Sequence, residues 1–247
     1  ALITADRHAF FKYMVKSIAE KHGLRATFMP KPFGHLTGNG CHAHVSIWGT
    51  GGVAKGKGKI KNLFADKKGE LGVSDLGYAF MGGLMAHGTA LTAISNPTVN
   101  SYKRINAPRT TSGATWSPNT LTYGGNNRTH MIRIPDGGRF ELRLADGAAN
   151  PYLYPAAVLA AGMDGMERNL DPGKRLDIDM YAEGYKVRGA KKLPLNLLDA
   201  LRELQKNKVL LGALGPAGDA FLKLKHEEWN SYARHLTDWE REHTLDC

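Results

Sequence analysis

Two short segments alternate with a period of two, a strand signal, and each carries its polar residues on one side only. The first is Cys41-His42-Ala43-His44-Val45-Ser46-Ile47-Trp48. Side chains alternate across a strand, so His42, His44, Ser46 and Trp48 share one face and Cys41, Ala43, Val45 and Ile47 the other. The second is Arg139-Phe140-Glu141-Leu142-Arg143-Leu144, in which Arg139, Glu141 and Arg143 share a face and Phe140, Leu142 and Leu144 lie behind them. If both polar faces line one cavity, it holds imidazoles, a carboxylate and guanidiniums, a set suited to a phosphorylated, metal-bound anion. The alternative is two antiparallel strands with solvated faces. The shared parity predicts that His42 and Glu141 approach each other, with Arg143 beside them.

The remaining pattern supplies helices around these strands. Phe10, Met14, Val15 and Ile18 recur at helical spacing within 5–22, and Gly23 is a stop. Residues 24–30 read as a strand, and 31–40 as a loop ending in Thr37-Gly38-Asn39-Gly40. Residues 75–95 read as a long apolar helix whose Gly82, Gly83, Ala86 and Gly88 allow close packing. The stretch 96–127 reads as largely irregular, and such long loops are usually functional or disordered. Strands at 129–134 and 139–144 form a hairpin around Pro135–Gly138. An alanine-rich helix spans 151–168, and helices at 195–206 and 217–242 follow. The expected fold is α+β, an antiparallel curved sheet with helices packed on one side.

The 247 residues, 42% hydrophobic and 23% charged, describe a globular chain and exclude a disordered one. No apolar run reaches the length of a membrane span. The first residues, Ala1–Arg7, lack a signal-peptide core and an initiating Met, so the chain reads as a fragment or a processed form. The two cysteines, Cys41 and Cys247, suggest no disulfide framework and fit a reducing cytoplasm. The net charge of +10 raises the question of nucleic acid. Much of the excess lies in Lys55-Gly56-Lys57-Gly58-Lys59-Ile60-Lys61, which reads as a solvated hairpin loop without interleaved aromatics to stack bases. Anionic substrates explain positive charge near a site equally well, and neither a nucleic-acid nor a membrane partner is expected.

The loops carry a family resemblance. Asn96-Pro97-Thr98-Val99-Asn100-Ser101-Tyr102-Lys103-Arg104 resembles a signature of the glutamine synthetase family. So do Lys31-Pro32 with Gly38–Trp48, Asn127-Arg128-Thr129 leading through Arg133-Ile134-Pro135 to Phe140–Arg143, and Asn150-Pro151-Tyr152-Leu153. Ser112-Gly113-Ala114-Thr115-Trp116-Ser117-Pro118-Asn119 resembles the catalytic loop of bacterial glutamine synthetases and γ-glutamylmethylamide synthetases. The resemblance implies the C-terminal portion of a catalytic domain over residues 1–247. It also implies ATP-dependent joining of ammonia, or alternatively methylamine, to the γ-carboxylate of glutamate through γ-glutamyl phosphate.

By motif position, the resemblance makes His42 and Glu141 ligands of a Mg2+ or Mn2+ ion beside the ATP phosphates. His44, Ser46, Arg128 and Arg133 would contact the nucleotide, and Arg128 and Arg139 would face the developing charge. Gly38, Arg104 and Arg143 would receive glutamate, a planar fork matching a carboxylate. Arg128 and Arg133 differ by an odd number, so either Arg128 precedes the strand or a bulge intervenes.

Two departures qualify this picture. Trp116-Ser117-Pro118 stands where most glutamine synthetases carry a flap Glu-Ala-Pro, which brings methylamine forward as acceptor. The family's further glutamate ligands and small N-terminal β-domain, which completes sites between subunits of a homo-oligomeric ring, are not in this sequence, so the chain alone is expected to be inactive. A rival reading is a non-catalytic nucleotide- or glutamate-binding homologue. Another is a guanidino kinase-like phosphotransferase, which the Asn96–Arg104 segment disfavours.

Overall fold

The computed structural model describes residues 1–49, 60–107 and 115–247. Lys55–Lys59 of the expected Lys/Gly loop and Ser112–Ala114 of the expected catalytic loop lie outside the described residues. In chain order the elements are α1 (Leu2–Lys21), β1 (Ala43–Val45), β2 (Trp48–Gly49), β3 (Lys61–Asn62), α2 (Asp75–Ser95), α3 (Ser101–Ile105), β4 (Tyr123–Gly124), β5 (Ile132–Asp136), β6 (Arg139–Leu142), α4 (Leu153–Glu167), α5 (Met180–Glu183), α6 (Leu197–Lys206), α7 (Lys208–Leu214), α8 (Pro216–Ala233) and α9 (Asp238–Thr244).

The fold is α+β. The main sheet has the order β1-β6-β5-β4, and β2 and β3 form a separate antiparallel pair. β1, β6 and β5 are antiparallel as expected, whereas β4 adds in parallel to β5, so the sheet is mixed. Behind it α2 and α4 pack backbone to backbone. A Cβ on Gly83 would stand 2.0 Å from the Ala161 carbonyl oxygen, and one on Gly165 2.2 Å from that of Ala79, so only glycine permits this approach. Ser74 caps α2, its hydroxyl accepting from the Gly77 amide at 3.2 Å. Phe140 joins sheet to helix, its ring 5.9 Å from Phe64 and 5.8 Å from Phe80 of α2.

Several expectations are corrected. Residues 24–30 form no strand; they are irregular, with Leu24 and Met29 exposed. The expected 41–48 strand breaks after Val45, and its last residues join the other sheet, so His42 lies just ahead of β1. The stretch 96–127 contains α3 and β4, and the expected 217–242 helix ends at Ala233 and resumes as α9, capped by Thr237. The apolar stripe of α1 is not core: Phe10 is 63% and Ile18 49% exposed, and Ala5 alone of the helix is buried. Among the described residues no helix is long and apolar enough to cross a membrane.

Candidate active site

β6 is buried on both sides. Phe140, Leu142 and Leu144 face the core, as their parity requires, but Glu141 and Arg143 on the opposite face are 4% and 2% exposed. A solvated polar face is therefore ruled out at Glu141 and Arg143, while Arg139 at the start of the strand stays at the rim. Burying charge is unfavourable unless each group is paired, and the neighbouring strands supply the pairs. Glu141 Oε1 accepts from His42 Nδ1 at 3.0 Å and from Arg143 Nη1 at 2.9 Å, while Oε2 accepts from Arg133 Nη1 at 2.7 Å. The sheet register sets this up, placing Glu141 opposite His44 on β1 and opposite Arg133 on β5.

These contacts decide the protonation states. Burial alone would raise the Glu141 carboxyl, but the Arg133 hydrogen bond, the Arg143 charge and His42 together hold it down at about 2. His42 is pushed down to about 4, first by burial and then by the charges of Arg143 and Arg104, against the opposing pull of Glu141. At neutral pH the pair is thus an anionic carboxylate and a neutral imidazole. The carboxylate only accepts, so the imidazole proton sits on Nδ1 and the lone pair on Nε2. His42 Nε2 is buried and has no hydrogen-bond partner. It lies over Gly40, where an added Cβ would come within 2.6 Å of it.

The guanidiniums divide into two groups. Arg104 is 2% exposed, with Nη1 donating to the Leu144 carbonyl at 2.9 Å and Nη2 to that of Arg143 at 3.3 Å. Arg143 also donates from Nε to the Arg128 carbonyl at 3.1 Å and from Nη2 to that of Trp116 at 3.3 Å. Gly38 packs against Arg104: an added Cβ would meet the Pro30 carbonyl oxygen at 2.4 Å and Arg104 Cγ at 3.1 Å. Arg139 lies at the rim, bound to both Asp136 oxygens (Nε 2.8 Å, Nη2 2.7 Å) and with Nη1 donating to His44 Nδ1. Arg128 is exposed and precedes β5, which resolves the parity question without a bulge between the two arginines. Ser46 and Trp48 point to solvent and hydrogen-bond to each other, Nε1 to Oγ, at 3.0 Å. Trp116 is 43% exposed and holds a left-handed backbone, φ +54°, unusual for a bulky residue.

The structure thus gathers His42, Glu141, Arg133, Arg143, Arg104 and Gly38, places His44 and Arg139 at the margin, and leaves Ser46 and Arg128 exposed. It adds residues the sequence reading did not single out. Asn126 Oδ1 accepts from Arg133 Nε and Nη2 at 2.9 and 2.6 Å and aims that fork at Glu141. Asn100 clamps the Gly38 loop, accepting from the Lys31 amide at 2.7 Å and donating to the Lys31 carbonyl at 3.1 Å. Buried Asp146 accepts from Asn96 Nδ2 at 2.9 Å. Asn126 and Asn100 adjoin or lie within the quoted motifs, which was the available signal. Asp146 carried none, because its partners are distant in sequence.

A family model described as glutamine synthetase, catalytic domain, matches residues 1–244. The chain is 63% identical over 246 residues to a glutamine synthetase of Rhizobium leguminosarum bv. phaseoli, an alignment covering 99% of this chain and 55% of that protein. It is 49% identical over 245 residues to a glutamate–methylamine ligase of Methyloversatilis universalis, covering 97% of this chain and 53% of that protein. A solved structure titled a GmaS/ADP complex superposes with a TM-score of 0.92 at 66% identity, covering 100% of this chain and 55% of that one. The chain spans about half the length of the curated relatives it matches.

Proposed function

The chain belongs to the glutamine synthetase family through its catalytic domain, and from that premise we propose that it forms the β1–β6–β5 wall of an ATP-dependent glutamate–amine ligase site. The observation that carries this reading is the buried Glu141 with three nitrogen donors on its two oxygens. A fold needs no such group on this face, since burying it is unfavourable and apolar residues would pack there as well. A site that handles transferring phosphoryl oxygens does need fixed positive charge, because that reaction depends on positioning and charge neutralisation more than on covalent help.

In this reading Arg133, held by Asn126 and Glu141, and Arg139, held by Asp136, present positive charge along the strands to the nucleotide and to the developing charge. The relative solved with ADP supports nucleotide use. Arg104 and Arg143 receive the carboxylates of glutamate. Each guanidinium has five N–H groups, so the contacts described leave donors uncommitted on both. Gly38 lets the loop backbone close against Arg104. Arg143 Nη2 donates to the Trp116 carbonyl, so a carboxylate arriving there meets the flap segment directly.

The family also implies Mg2+ or Mn2+. His42 Nε2 offers one uncommitted lone pair, but both Glu141 oxygens are engaged. Among the described residues no group of three or more His, Cys, Asp or Glu side chains converges. These residues alone do not fit a complete hard-cation sphere. In the full-length enzyme, release of ADP should require glutamate and an amine together, and Arg139→Ala should remove most of it. Turnover independent of glutamate would refute the reading.

The amine is ammonium or methylamine, and Trp116 bears on the choice. An indole attracts either cation through its face, by about 0.5–2 kcal/mol. It also offers apolar contact to a methyl group, worth about 0.8 kcal/mol. Methylamine gains both terms, so the full-length enzyme is expected to use it at least as efficiently as ammonium, with Trp116→Ala narrowing the preference. Comparing kcat/KM for the two amines in both proteins checks this; a strong preference for ammonium in the parent enzyme would exclude the indole as an amine selector.

A further inference from the structure

The segment Asn96–Arg104 is tied down from several sides, and one tie comes from an element with no part in the site described above. The segment leaves α2 and enters α3, so its amides lack helical partners at the turn. Thr98 and Ser101 satisfy each other, the Thr98 amide donating to Ser101 Oγ at 3.1 Å and the Ser101 amide to Thr98 Oγ1 at 3.2 Å. Asn96 reaches the Leu144 carbonyl and Asp146, and Asn100 clamps Lys31. The Val99 amide instead donates across 129 residues of sequence to Glu228 Oε1 on α8, at 3.1 Å. The other oxygen, Oε2, accepts from Lys225 Nζ at 2.7 Å, one turn earlier on the same helix. The carboxylate therefore divides its two oxygens between its own helix and the loop.

We propose that Glu228 is a positioning residue for the glutamate end of the site, acting through the Val99 amide on the segment that carries Asn100 and Arg104. The consequence follows from the connections. Asn100 fixes the backbone of Lys31, and so the loop that brings Gly38 against Arg104. Arg104 holds the carbonyls of Arg143 and Leu144. Without the Val99 tie the segment keeps its anchors on the Lys31 and β6 side only, so Asn100 and Arg104 can shift together, while the contacts of Arg133 to Asn126 and Glu141 and of Arg139 to Asp136 do not pass through it. Loss of Glu228 should act on glutamate and spare the nucleotide.

This rests on the ligase reading above, and the experiment separates the two. In the full-length enzyme, Glu228→Ala should raise KM for glutamate about tenfold, the scale of a lost hydrogen bond to a charged acceptor. The values of kcat and of KM for ATP should stay within about twofold. Glu228→Gln retains an oxygen that accepts the Val99 amide and should restore KM for glutamate. Lys225→Met leaves the acceptor in place and should behave as the parent enzyme. Amide exchange of residues 98–104 should quicken in Glu228→Ala alone, a readout that holds whatever reaction is catalysed. An unchanged KM for glutamate in Glu228→Ala, equal losses for glutamate and ATP, or a Gln variant as impaired as the Ala one would overturn the proposal. A parent enzyme without glutamate-dependent turnover would refute the ligase reading instead.

Discussion

A strand cluster and a helix cluster each combine imidazole, carboxylate and guanidinium, and they differ in the fate of one nitrogen. In the strand cluster, His42 donates from Nδ1 to Glu141, which also holds Arg133 and Arg143, and His42 Nε2 is buried without a partner. In the helix cluster, His87 of α2 donates from Nε2 to Asp164 of α4 at 2.8 Å, and Asp164 also holds Arg168 at 3.0 Å. There the second ring nitrogen is satisfied, because Asn207 Nδ2 donates to His87 Nδ1 at 2.8 Å while Asn207 Oδ1 caps α7 by accepting from Leu210. This polar network joins three helices and satisfies both nitrogens of His87. The strand cluster is assembled from the same groups, yet it keeps a lone pair in reserve at a buried position. Residue types alone do not mark a site, and neither does a lone unpartnered atom, since His130 Nε2 and His226 Nε2 are also buried without partners; the strand cluster stands out because its free nitrogen lies among converging charges.

The sharpest way to break this comparison is to truncate each histidine. On the ligase reading, His42→Ala removes the free nitrogen of the strand cluster and one donor to Glu141, and should lower turnover by about a hundredfold with a small change in Tm. His87→Ala should leave turnover nearly intact but destabilise the protein by about 1–3 kcal/mol, since Asp164 and Asn207 each lose a partner. Activity assays and denaturant unfolding on both variants check this, and a crossed result would erase the distinction.

A smaller effect is expected from pH. Glu141 is held at about 2, below its ordinary 4.5, so its contribution is fully present above pH 4.5 and is lost as pH falls toward 2. His42 is held at about 4, below its ordinary 6.5. The unfolded chain therefore takes up that proton first, and stability from this source is lost between pH 6.5 and 4. Thermal unfolding from pH 7 to 4 should show a shallower decline for His42→Gln than for the parent protein, and NMR should find the His42 ring titrating near pH 4. A ring titrating near 6.5 would mean the strand cluster is open to water.

The smallest effect concerns aim. Asn126→Ala removes the acceptor of Arg133 Nε and Nη2 and leaves its Glu141 contact, so a loss of about 0.5–1.5 kcal/mol is expected. It should appear in KM for ATP, measured by steady-state kinetics. An effect on glutamate alone would reassign Arg133.

Much of the fold was legible because it depends on local periodicity. The apolar runs of α2 and α4, the glycines at their crossing and the alternation along β6 each follow from neighbours close in sequence. The 24–30 segment failed for the complementary reason: a strand exists only where another strand accepts its hydrogen bonds, and sequence alternation cannot supply that partner. The same limit explains α1, whose spacing was right and whose apolar face is nonetheless exposed.

For the site, the sequence alone determined which residues share a face of β6, since parity is a property of the extended backbone, whereas the 41–48 face broke up after Val45. It paired His42 with Glu141 before any distance was known. Only the tertiary structure decided that this charged face is buried, that three donors converge on one carboxylate, that Arg104 braces the backbone of Arg143, and that Glu228 reaches Val99. Each of those depends on contacts between residues far apart in sequence, and their strength depends on burial, which lowers the local dielectric and leaves the groups only one another as partners.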